Sequence, residues 1–102
     1  MLQNLKLRWR LFEIWYRIMY LSKMLEGVPI FWNFQYMKLP EHTRKEIMGW
    51  IEEVYDLGIE EANILLKLKK YDLYKQVLEQ LEISHKNICE LKLMCMQEGV
   101  SY

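Results

Sequence analysis

Few residues in this chain could do acid–base, nucleophilic or metal chemistry, and their spacing keeps them apart. The histidines are His42 and His85, and the cysteines are Cys89 and Cys95. A zinc site or an activated nucleophile needs such groups to converge, and no CxxC or HExxH spacing occurs. Six residues along a helix turn Cys89 and Cys95 to different faces, so they cannot bridge each other. Both histidines stand beside expected helix starts, where capping and surface roles are ordinary. The acids Glu52-Glu53 and Glu60-Glu61 are consecutive on helices, so each pair fans out into a solvated face. Glycines at 27, 49, 58 and 99 form no phosphate-cradling loop. The sequence predicts a protein that is not an enzyme and carries no metal or cofactor.

The chemistry the chain does possess is that of large apolar surfaces. Its 102 residues are 52% hydrophobic, with four Trp, seven Tyr and three Phe, more aromatic area than one small core easily hides. Net charge is zero, so no overall field steers the molecule to nucleic acid. The charge is nevertheless split. Residues 1–25 carry five cations against Glu13 alone, and residues 51–102 carry six cations against ten acids. Such a chain can pair its basic end with its acidic end, within one fold or between copies. No disulfide framework is visible, which reads as intracellular. Glu13, Arg17 and Lys23 interrupt the one apolar run long enough to suggest a membrane span.

Helical periodicity dominates the elements that must position these groups. Leu7, Leu11, Ile14, Ile18, Leu21 and Leu25 form one stripe, and Leu5, Trp9, Phe12, Tyr16 and Met19 form a second beside it. A helix so widely apolar needs neighbours on two sides, and it stops at Glu26-Gly27. The stretch "VPIFWNFQYMKLPEH" follows. Without a pairing strand it predicts a short helix with Pro29 in its first turn and Leu39-Pro40 at its end. Thr43 and Glu46 fit a capping box for the next helix, which Gly58 should break. Ser84 fits the N-cap of a last helix running to Gly99. The expectation is a single all-α domain, a compact bundle of five or six helices.

Sliding the chain by 41 aligns Ile18 with Ile59, Leu25 with Leu66, Gln35 with Gln76, Lys45 with Lys86 and Ile47 with Ile88. It also sets Thr43 on Ser84, which suggests two degenerate motifs of about forty residues, near 5–57 and 59–99. A competing offset of 24 aligns Leu57 with Leu81, Ile59 with Ile83, Asn63 with Asn87 and Ile64 with Ile88.

Three resemblances touch parts of the sequence. "VYDLGIEEANILLKL" (54–68) and "LEISHKNICEL" (81–91) resemble helix-turn-helix motifs. The second implies base or phosphate contacts by Ser84, His85, Lys86 and Asn87. The segment from Trp50 to Ala62, with Tyr55 and Gly58, looks like a tetratricopeptide hairpin, though its glycine-to-alanine spacing is one short. The whole chain, short and rich in Met, Tyr and Trp, is similar in style to small orphan proteins of filamentous viruses of hyperthermophilic archaea. That similarity rests on size and composition and carries over no residue. It implies a heat-stable, non-enzymatic protein of the host cytoplasm.

The reading these residues favour is a protein–protein or peptide interaction module. Its aromatic groove lies between the two motifs, and its partner is another polypeptide or a second copy. Trp32, Phe34, Tyr36 and Met37 are the first candidates for the groove, and Trp9 and Trp15 the second. The same rings could instead be core. Trp9 and Trp15 among basic residues also have the ingredients of a membrane-surface helix, although two apolar stripes suit burial in a bundle better. The alternative function is a small helix-turn-helix DNA-binding regulator using residues 81–91.

Overall fold

The structure is a computed structural model that describes residues 2–26 and 36–102. Within them lie three long helices and no strand: α1 (Leu2–Glu26), α2 (Glu41–Lys67) and α3 (Tyr71–Gln97). The all-α expectation holds among the described residues, where residues 41–97 form two long helices and not the several short ones that the turn signals implied. Trp32 and Phe34, and most of the expected short helix at 30–37, lie outside the described residues. From Tyr36 the chain turns, with the Leu39 N–H donating to the Tyr36 carbonyl at 3.1 Å, and α2 begins directly after Pro40.

Helix α2 is central, with α1 packed on one side and α3 on the other. The apolar side chains gather into two clusters along this axis. One joins Leu11 and Ile14 of α1 to Ile64 and Leu65 of α2, with Tyr74 and Val77 of α3 packed against them. The other joins Ile47 and Met48 of α2 to Leu91 and Cys95 of α3 around Tyr36, with Leu25 of α1 at its edge. The stripe Leu7, Leu11, Ile14, Ile18, Leu21 and Leu25 is thus the inner face of α1, as its period predicts.

Two expected breaks are continuous helix. Gly58 is buried within α2, and a Cβ built there would lie 2.7 Å from Leu81 Cδ2. The glycine therefore serves a close approach of α3 and does not end a helix. Ser84 lies in mid-α3 and caps nothing. The boundary between the two forty-residue motifs, at 57–59, falls inside α2. The capping box at Thr43 is also not formed. Pro40 occupies the N-cap position without a side-chain hydrogen bond, and Thr43 Oγ1 lies 3.3 Å from His42 Nε2.

The true stop of α2 follows Lys67. Lys69 takes the left-handed conformation (φ 60°), its N–H donates to Leu66 O, and the Lys70 N–H donates to Leu65 O at 2.9 Å. Helix α3 ends in the same way with Gly99 (φ 68°) and the Val100 N–H donating to Cys95 O. Both are Schellman closures. At Lys69 a side chain stands where glycine is the unstrained residue.

The result is elongated, 51 × 21 × 18 Å, and not the compact bundle expected. Its radius of gyration is 15.7 Å, where about 13 Å is usual for this length.

Two predictions follow from these contacts. Lys69→Gly should raise the unfolding free energy by about 1 kcal/mol, read from urea midpoints, by relieving the left-handed strain. Gly58→Val should cost about 1–3 kcal/mol by forcing α3 off α2. Most of that loss should vanish in a Leu81→Ala background, as a double-mutant cycle would show.

Candidate functional site

The outward side of α1 is the most unusual surface among the described residues. Leu2, Leu5, Trp9, Phe12, Tyr16 and Met19 recur at alternating steps of three and four, and each is between 55% and 70% exposed. Alternating three–four spacing is the seam of a coiled coil, where such positions face a partner helix. Trp9 and Phe12 stack with their rings 6.2 Å apart and 23° between planes. Leu5, Lys6, Arg8, Trp9 and Phe12 line a shallow apolar depression on this face. Trp15 and Tyr20, at the row's flanks, are about half exposed. Sequence periodicity found this second stripe but assigned it a neighbour within the fold. Among the described residues it has none.

The rotation of α1 that turns this row outward is fixed by side chains reaching α2. Arg10 donates to both carboxylate oxygens of Glu60, at 2.6 and 2.9 Å, and Arg17 to both of Glu53, at 2.6 and 3.1 Å. The indole N–H of Trp15 donates to Glu61. Two arginines seven residues apart thus meet two glutamates seven apart on an antiparallel helix. Each exposed pair contributes little stability by itself, but the planar two-pronged geometry is directional. The hydrogen bonds from Arg10 and Arg17 hold the Glu60 and Glu53 carboxyls below the ordinary carboxylate range. On the other side of α2, Lys92 of α3 pairs with Glu52 at 2.8 Å. The acids Glu52 and Glu53 do fan out, one to α3 and one to α1, whereas Glu60 and Glu61 both reach side chains of α1, and all of these contacts stay exposed. The matching seven-residue spacings were the signal that could have found the clamp.

The remaining candidates fall elsewhere. Tyr36 is fully buried, and its hydroxyl donates to the Arg44 carbonyl at 2.9 Å. Its ring is walled into the core and offers nothing to a partner, which corrects its place in the proposed groove. Met37 is half-buried against the same cluster. Arg44 ties this corner together, its guanidinium donating to the Leu39 and Ser101 carbonyls. Burial pushes the Tyr36 hydroxyl up to about 12 and raises the Cys95 thiol.

Ser84, His85, Lys86 and Asn87 lie along one unbroken helix. Residues 54–67 belong equally to unbroken α2. Neither helix-turn-helix stretch contains its turn, and neither does the tetratricopeptide-like segment, because packing against neighbours carries each helix through the local break signals. His85 faces the Tyr55 ring at 5.9 Å, and its Nε2 lies 3.6 Å from the Cys89 sulfur. Among the described residues no group of three metal-ligating side chains converges, and no helix is long and apolar enough to cross a membrane.

Against known proteins, no family model, curated sequence or solved structure matches the chain. What defines it is its own geometry: among the described residues, three long helices with a row of exposed aromatic and apolar side chains along one of them.

Tyr36→Phe should cost about 1 kcal/mol at neutral pH through the lost hydrogen bond. It should also remove an alkaline limb. An unfolded tyrosine ionises near 10, while the native one keeps its proton to about 12. Between those values the unfolded state binds fewer protons, so wild-type stability falls as pH rises. Urea unfolding across that window should show a flatter profile for the variant.

Proposed function

We propose that this protein is a non-enzymatic interaction module that binds polypeptide through the outer row of α1. One observation carries the reading: six large apolar side chains stand in a coiled-coil seam and face solvent together. Scattered exposed leucines are ordinary on any surface, but a continuous row of this kind is not. Trp9 and Phe12 at its centre are of the type that dominates binding energy, offering large area at small entropy cost. Trp9 and Trp15, the second-rank candidates from sequence, become the first. The site is thus one helix face, and the groove between two repeats is set aside.

The test is a photo-reactive phenylalanine analogue at position 12, with a control at exposed Glu79 of α3. Irradiation in an extract of the native host should yield polypeptide adducts at position 12 and none at 79. No polypeptide adduct at position 12, whether to itself or to another chain, would overturn the proposal.

A further inference from the structure

Resting on that reading, we infer that the occupant of the α1 row is α1 of a second copy of this chain, laid antiparallel across a two-fold axis between Arg10 and Leu11.

The first support is area. The chain exposes 7582 Å², whereas the surface scaling of monomeric proteins gives about 6200 Å² for a mass of 12.6 kDa. The excess, about 1400 Å², is larger than one side of a standard interface, about 800 Å². The six side chains of the row together expose an area of that order.

The second support is register. Positions 2, 5, 9, 12, 16 and 19 are symmetric about their midpoint, so an antiparallel copy pairs Leu2 with Met19, Leu5 with Tyr16, and Trp9 with Phe12. Each layer occurs twice, and four rings meet at the centre. The intrachain stack of Trp9 on Phe12 already holds half of that cluster together.

The third support is charge. In an antiparallel seam, the residue following each second core position faces its own equivalent across the axis, and so does the residue preceding each first core position. Those flanks place Lys6 against Glu13 of the second copy, and Arg8 against Trp15 of the second copy, each pair made twice. The first is an ion pair and the second a cation over an indole. Within the chain, Lys6, Arg8 and Glu13 form no salt bridge among the described residues, whereas Arg10 and Arg17 are spent on α2.

A parallel copy fares worse. The row's next positions are Lys23 and Glu26, which would meet their own like charges across the seam, and the helix dipoles would align. The antiparallel register leaves both beyond the overlap.

A membrane surface is the other occupant such a face could take, but it would leave Glu13 facing anionic headgroups without a partner.

The experiment is sedimentation equilibrium of the full reduced chain over a range from nanomolar to high micromolar. The expected result is a monomer–dimer equilibrium reaching twice 12.6 kDa. Phe12→Glu, at an exposed position, should weaken dimerisation by roughly 100-fold or more with helicity and melting unchanged. Lys6→Glu should weaken it about 10-fold, and Lys6→Glu with Glu13→Lys should restore it by reversing the pair. A chain that stays monomeric throughout overturns the inference. If position 12 still cross-links a foreign polypeptide in extract, the interaction reading survives with another partner; if it does not, both fall. Dimerisation that Phe12→Glu abolishes, but that Lys6→Glu weakens without recovery on adding Glu13→Lys, overturns the antiparallel register. A monomer that co-sediments with anionic vesicles assigns the face to lipid and overturns the inference.

Discussion

Adjacent glutamates on the central helix determine how everything else is oriented. One residue along a helix turns a side chain by about 100°, so Glu52 and Glu53 cannot point the same way. Glu52 takes Lys92 of α3, and Glu53 takes Arg17 of α1. One turn pair further on, Glu60 takes Arg10, and Glu61 accepts the Trp15 indole. These contacts are exposed and individually weak. Their importance is angular: with the inner leucines and isoleucines seated on α2, they leave α1 one rotation, and that rotation presents the aromatic row to the outside.

A three-helix row with a central helix buries less than a closed bundle, because each outer helix has one covered side. The long axis of 51 Å and the narrow core around Leu11, Ile14, Ile64 and Leu65 follow from this arrangement. Where α3 must approach most closely, Gly58 makes room for Leu81. Where the chain closes back on itself, Tyr36 and Arg44 bind the corner before α2 to the segment after α3. The inner half of the molecule is therefore well specified, while the outer face of α1 carries core-type residues without a core. Association is the physical means by which such a face leaves water.

The amphipathic signal of α1 was readable because a twenty-five-residue helix without glycine or proline repeats its stripe six times. Short local signals misled where packing overrode them. Gly58 and Ser84 have the chemistry of breaks and caps, but α3 and α2 cover each other continuously and neither helix stops there. The stop at Lys69, where the apolar spacing changes between Lys70 and Tyr71, carries no glycine, although the left-handed cap is normally announced by one. Aromatic density likewise pointed to residues 30–37, and Tyr36 from that stretch is core. The exposed row lay in the helix whose two stripes looked equally buried, since periodicity tells which residues share a face but not which face meets a neighbour.

The most direct measurement is the solvent access of the α1 indoles in a chain where Trp32 and Trp50 are replaced by phenylalanine and Trp15, which bonds Glu61, is kept. Acrylamide quenching of Trp9 and Trp15 should be strong in dilute solution and fall as concentration rises, because the row becomes covered. Quenching that stays high and constant up to high micromolar concentration would contradict the assignment of this face to a second copy of the chain.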